Sequence, residues 1–157
     1  MKKTNFVKDL NTKSVAELNN DLVAAKKELF NFPIIGVTGS NGKTIVKEWL
    51  YQLLKDKYNT CRSPKSYNSQ IGVPLSILNL NENHNLGIFE AGISQTNEME
   101  RLAMMIKPKI GIITNIGNAH QAGFKSIEEK IEEKAKLFYC TDTVICPYKY
   151  GIDKYFE

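Results

Sequence analysis

Residues 33–44 read Pro-Ile-Ile-Gly-Val-Thr-Gly-Ser-Asn-Gly-Lys-Thr, and this segment constrains the chain more than any other. An apolar, β-branched run halts at a small glycine-rich turn. A Lys-Thr pair follows, and an amphipathic helix pattern then takes over. Gly39 and Gly42 let the backbone turn its amides inward without Cβ clashes, and Ser40 and Asn41 lie between them. A helix starting near Gly42 adds unpaired N–H donors and the positive end of its dipole. Lys43 can then reach the outer phosphates of a nucleotide, and the Thr44 hydroxyl is placed to ligate Mg²⁺. Val37 stands where the general G-x-x-x-x-G-K-[ST] pattern has its first glycine, so the string is the shorter T-G-x-x-G-K-T. A glycine-rich turn before an ordinary helix is the competing reading, because short motifs recur by chance.

The rest of the chain alternates strand and helix patterns. Ser14-Val15-Ala16-Glu17 fits a capping box, and Leu18, Leu22, Ala25 and Leu29 follow at helical spacing. This first helix leads into a strand at 34–38. Ile45, Val46, Trp49, Leu50, Leu53 and Leu54 predict the buried stripe of the helix after the loop, with Trp49 in the core. Residues 58–61 read as a short strand, and 71–80 as a helix interrupted early by Pro74. A buried strand at 86–89 delivers Glu90. A helix at 98–106 is closed by Pro108, and a β-branched strand at 109–116 follows. Ser126-Ile127-Glu128-Glu129 is a second capping box, opening a helix to about Tyr139, and Val144-Ile145-Cys146 starts another strand. Such alternation predicts an α/β fold: a three-layer, mostly parallel sheet covered on both faces, with ligands at the carboxyl ends of its strands.

At 157 residues the chain is long enough for one domain with its own core. The formal charge of +4 is spread along it without a basic, aromatic-laced stripe, which gives nucleic-acid binding no support. No segment has the length of a membrane span, and Met1-Lys2-Lys3 precedes no apolar h-region. Cys61, Cys140 and Cys146 lack metal-ligand spacing, and reduced thiols in a cytoplasmic protein are the simplest reading.

Three polar signals fall at predicted strand ends: residues 39–44, Glu90, and Asn115 to His120. Glu90 reads as a metal-coordinating acid, or as a solvated carboxylate where a strand emerges. His120 alone is uninformative. Lys134 and Lys136 lie in a Glu/Lys-rich helix that reads as a solvated face, with Glu129–Glu133 repulsion and Glu132–Lys136 attraction.

Taken together, the residues at 38–44, Asn68 with Gly72-Val73-Pro74, Glu90-Ala91-Gly92, and Asn115 with His120 resemble the central ATPase domain of the Mur ligases. The segment 119–126, followed by Lys134 and Leu137-Phe138, is most similar to the members that add D-alanyl-D-alanine to a nucleotide-linked muramyl tripeptide. The region from the loop to Pro74 further resembles the subgroup fused to an alanine racemase. The resemblance divides the chain into a helical lead-in at 1–31 and a partial central ATP-binding domain at 32–157. It implies a P-loop NTPase-like fold that binds ATP and two Mg²⁺ ions. Residues 39–44 would then cradle the phosphates, with Lys43 on the outer two. Thr44 and Glu90 would hold one metal, and His120 and a carbamoylated Lys134 the second. Lys43, His120 and Lys134 would be catalytic. Lys136 is the alternative site of modification. The implied reaction runs through an acyl phosphate on the muramyl peptide, which the amine of D-alanyl-D-alanine displaces.

The chain departs from the pattern at Ala91, where Met is usual, and at Asn97, where a glycine usually precedes Glu98. Family members carry a domain on either side of the ATPase core, and a segment for the adenine pocket is missing here. A piece of a longer ligase and a complete small protein are both open, and either is expected to bind nucleotide weakly and not to complete ligation. Another Mur-type or folylpolyglutamate-type ligase is an alternative, as is a noncatalytic nucleotide-binding module. A regulatory GTPase lacks support, because no N-K-x-D-like guanine motif is present.

Overall fold

The computed structural model describes residues 32–117 and 121–155, together with positions 14, 15, 17, 21 and 22. The predicted first helix, with Leu18, Ala25 and Leu29, and the predicted site residue His120 lie outside the described residues. Part of the first capping box is described: Ser14 N–H donates to Glu17 Oε2 at 2.7 Å, and Glu17 N–H to Ser14 Oγ at 3.3 Å.

Five strands, β1 (Ile34–Thr38), β2 (Thr60–Arg62), β3 (Leu86–Glu90), β4 (Ile110–Ile113) and β5 (Thr143–Ile145), form one sheet in the order β2-β3-β1-β4-β5. Every pairing is parallel. β1 and β3 are buried along their whole length, as central parallel strands must be when helices cover both faces. The pleat divides β1 between two cores. Ile35 and Val37 join Ile88 and the Val46, Leu50 and Leu54 side chains of α1 (Lys43–Leu54). Ile34 faces the other core, with Phe89, Ile113, Leu137 and Phe138. That second core is closed by α2 (Gly72–Ile77), α3 (Met99–Ile106) and α4 (Ile127–Ala135).

The register fixes the active end of the sheet. Val37 pairs with Glu90 and Thr38 with Ile113, so the loops after β1, β3 and β4 emerge side by side. Each crossover returns the chain to the same edge, which a parallel sheet requires.

Several expectations are corrected. The stripe expected on α1 is only half buried: Ile45, Trp49 and Leu53 are exposed, Trp49 at 57%. The helix seats on the sheet along Val46, Leu50 and Leu54, so residues at 45, 49 and 53 fall on its flank, away from the strands. Pro74 does not interrupt α2, since it occupies the first turn, where a missing N–H costs nothing. α2 ends at Ile77, and α4 ends at Ala135 before a 3-10 turn over Lys136–Phe138. The face of α4 read as solvated buries Lys130, Glu133 and Lys134. Lys136 pairs with Glu133 at 2.7 Å, not with Glu132, and Glu129 accepts the Lys125 N–H.

Candidate functional site

The loop after β1 is built around two left-handed glycines. Gly39 has φ of 142°, and a Cβ there would lie 2.1 Å from Thr114 Oγ1. Gly42 is the N-cap of α1 with φ of 79°, and no side chain caps the helix. An ordinary helix start would place a Ser, Thr or Asp oxygen on its first amides. Here the amides that begin α1 keep their donors for a ligand, and the dipole adds positive potential. Asn115 fixes the rest of the loop: its carbonyl accepts from Ser40 N–H at 2.9 Å and its Oδ1 from Asn41 N–H at 2.8 Å. Two of the loop amides expected to face a phosphate are therefore occupied by Asn115, and the open donors begin at the helix. Ser40 Oγ ties the loop to the segment after β4, accepting from Gly117 N–H at 2.9 Å and donating to the Gly117 carbonyl at 3.1 Å.

Lys43 folds back over this loop, with Nζ donating to the carbonyls of Gly39 at 3.0 Å and Ser40 at 3.3 Å. Burial pushes its ammonium below the ordinary lysine range, against the opposing pull of Glu90. A ligand with negative charge offers this ammonium better partners than two neutral carbonyls.

Thr44 and Glu90 meet across the strand ends, as the sequence predicted. Thr44 Oγ1 donates to Glu90 Oε2 at 3.1 Å, and Asn68 Nδ2 donates to the same oxygen at 3.3 Å. Glu90 is fully buried, so the solvated-carboxylate reading fails. Ser63 Oγ accepts the Glu90 N–H at 3.1 Å, anchoring the residue from β2. The donor set, one carboxylate oxygen and one hydroxyl beside a helix N-terminus, fits Mg²⁺. That ion takes few protein oxygens and completes its octahedron with water and phosphate. No group of three or more His, Cys, Asp or Glu among the described residues could hold a metal by itself.

Lys134 comes to the same place from α4. It is 2% exposed, and Nζ donates to the Gly39 carbonyl at 3.3 Å. Its pKa falls to about 7 through burial first, then the nearby charges of Lys43 and Lys130. Lys136 points elsewhere, and its bond to Glu133 raises its pKa. Lys130, which the sequence did not single out, donates to the Gly117 carbonyl at 2.6 Å. A cleft of about 370 Å³ opens beside Gly39 and Lys43, walled by Asn68, Gln70, Gly92 and Glu98.

Three groups at the site were missed in the sequence: Lys47, Asn68 as a partner of Glu90, and Ser63. Lys47 sits three residues after Thr44, on the same helical face, and that spacing was the available signal.

Comparison with known proteins agrees with this geometry. The Mur ligase middle domain matches residues 37–147. The UDP-N-acetylmuramoyl-tripeptide–D-alanyl-D-alanine ligase of Borreliella burgdorferi is 43% identical over 126 residues, 80% of this chain and 27% of that protein. The Bacillus subtilis ligase of the same name is 36% identical over 104 residues, 66% of this chain and 23% of that protein. The chain thus spans about a quarter of the length of these relatives. MurF ligase from Thermotoga maritima, solved in complex with ADP, superposes with a TM-score of 0.83 at 28% identity, covering 92% of this chain and 36% of that one. MurF from Acinetobacter baumannii shares the fold, with a TM-score of 0.83 at 24% identity over 91% of this chain and 33% of that one. On the match across residues 37–147, the chain belongs to the Mur ligase family.

Proposed function

We propose that residues 32–157 are a partial central domain that supplies the ATP-binding portion of a cytoplasmic, ATP-dependent peptidoglycan-precursor ligase. In this reading the intact enzyme joins D-alanyl-D-alanine to a UDP-linked muramyl tripeptide. The observation that carries the reading is the Thr44–Glu90 contact at 3.1 Å beside a glycine-capped helix start. A hydroxyl, a buried carboxylate and open amides converge where a Mg²⁺–polyphosphate would need them. The relatives' names support the acceptor, and the ADP complex of the Thermotoga neighbour supports the nucleotide.

Lys43 would exchange its two carbonyl partners for the outer phosphates. Thr44 and Glu90 would hold the first Mg²⁺, and His120 with Lys134 the second. With its pKa near 7, Lys134 has a large neutral fraction at physiological pH. A neutral amine can add CO₂, and the resulting carbamate would replace one of three clustered cations with an anion. When bound, Mg²⁺ would neutralise charge on the phosphoryl group as it transfers. The muramyl peptide carboxylate would take that group as an acyl phosphate, and the D-alanyl-D-alanine amine would displace phosphate. No helix among the described residues is long and apolar enough to cross a membrane.

The test is calorimetric titration with a non-hydrolysable ATP analogue and Mg²⁺. Wild-type chain should bind, and Lys43→Ala should weaken binding by at least about tenfold. Equal affinity in the variant would defeat the phosphate role. Carbamoylation is read separately, as a carbamate ¹³C resonance after exposure to ¹³C-bicarbonate that Lys134→Met lacks.

A further inference from the structure

Lys47 has no part in the phosphate chemistry above, yet its side chain is completely buried, with 0% exposure. Enclosing an ammonium is costly unless oxygens surround it. Four do so here. Nζ donates to the Ser63 carbonyl at 2.7 Å and to the Lys65 carbonyl, and lies 3.0 Å from Glu48 Oε1 and 3.1 Å from Glu90 Oε1.

Three of those four partners are held independently of the phosphate loop. Ser63 and Lys65 follow β2, and Ser63 N–H is tied to the Ile88 carbonyl at 3.1 Å. Glu48 is clamped by Arg62, whose Nε lies 3.0 and 3.3 Å from its two oxygens and whose guanidinium stacks 3.6 Å over the Tyr51 ring. The ammonium is therefore a fixed point, and Glu90 is the partner it can orient. A glutamate's terminal torsion is soft, so a hold on one oxygen directs the other. Glu90 Oε1 receives no hydrogen bond from any side and has only the charge contact with Lys47. Glu90 Oε2 consequently faces Thr44.

We propose that Lys47 is a positioning residue, holding Glu90 Oε1 so that Oε2 stays turned to the Thr44 hydroxyl as one half of a Mg²⁺ seat. The proposal rests on the phosphate-site reading above. It separates from a general charge effect by sign. Removing a cation near a metal site strengthens metal binding by Coulomb attraction alone. Losing an orienting contact weakens it.

The experiment has two arms. In the first, crystal structures of the wild-type chain and Lys47→Met are solved without nucleotide. Glu90 Oε2 should remain within hydrogen-bond distance of Thr44 Oγ1 in the wild type and leave it in the variant. An unmoved carboxylate overturns the proposal. In the second, an ATP analogue is titrated with Mg²⁺ and with EDTA. The wild-type gain on adding Mg²⁺ should be about tenfold or more, falling below about threefold in Lys47→Met, with EDTA affinity unchanged within about twofold. A Mg²⁺ gain equal to or larger than wild type overturns the proposal. Lys47→Gln, which keeps an amide donor for the Ser63 carbonyl, serves both arms if the Met variant does not fold. Failure of the wild-type chain to bind nucleotide would count against the phosphate site itself, and the first arm would then decide the role of Lys47.

Discussion

Lys134 Nζ lies 3.3 Å from the Gly39 carbonyl oxygen, an oxygen that also accepts from Lys43 Nζ at 3.0 Å. Two ammonium groups from opposite faces of the sheet thus share one acceptor at the tip of β1. The arrangement is poorly balanced without an anion. It joins the helix that carries Lys134 to the loop that carries Lys43, so either lysine senses what occupies the loop.

This crowding predicts a pH dependence of stability. The folded pKa of Lys134 is about 7, below the ordinary 10.5. Between those values the unfolded chain holds a proton that the folded chain lacks, so stability rises with pH, by at most about 1.4 kcal/mol per unit. Below pH 7 both states are protonated and the whole burial penalty is present. Urea unfolding from about pH 7 to 9.5 should show this rise in the wild type and lose it in Lys134→Met. Parallel slopes in the two proteins would mean that Lys134 titrates as an ordinary lysine.

The two loop glycines should differ in their tolerance of a side chain. An Ala at Gly39 combines a φ of 142° with a Cβ 2.1 Å from Thr114 Oγ1, whereas at Gly42 nothing approaches closer than 3.9 Å. Gly42→Ala should cost about 1–2 kcal/mol of backbone strain, and Gly39→Ala clearly more. Denaturant midpoints measure both. Similar losses would show that the loop relaxes freely around Thr114.

Asn97 stands where the family pattern has glycine, and its φ is 64°. Asparagine is the side chain that best tolerates this left-handed conformation, so the departure preserves the turn that leads into α3. Asn97→Gly should leave stability within about 0.5 kcal/mol, and Asn97→Ala should lower it by about 1 kcal/mol. Thermal unfolding of the pair distinguishes them, and an indifferent Ala variant would remove the conformational argument.

How much could be read in advance follows from what each residue type signals. β1, β3 and β4 were legible because strands buried on both faces leave uninterrupted β-branched runs. The loop was legible because glycine, lysine and threonine at fixed spacing have one strong physical use. Trp49 misled, since a periodic stripe says which residues are apolar but not how wide a surface the sheet offers the helix. Lys47, Lys130 and Lys134 were hidden for the opposite reason. Pattern reading counts lysine as solvated, while these chains run inward to carbonyls and carboxylates contributed by distant strands. Glu133 is another case, accepting the Met99 N–H of α3 at 3.1 Å from a position that looked like surface.

The buried pair Lys47–Glu90 offers a final measurement, of energy instead of geometry. Replacing Glu90 with Gln preserves shape but leaves Lys47 to Glu48 and two carbonyls, at 3.0 Å, 2.7 Å and the Lys65 contact. Because those partners remain, the loss should fall short of the ~3–5 kcal/mol seen when a buried ion is left wholly unpaired. Lys47→Met should cost more, since it strands a fully buried carboxylate. In Lys47→Met/Glu90→Gln neither charge is stranded, so the double variant should be more stable than the sum of the single losses, by at least about 1 kcal/mol. Strict additivity in urea unfolding would mean that the two side chains, though 3.1 Å apart, do not depend on each other.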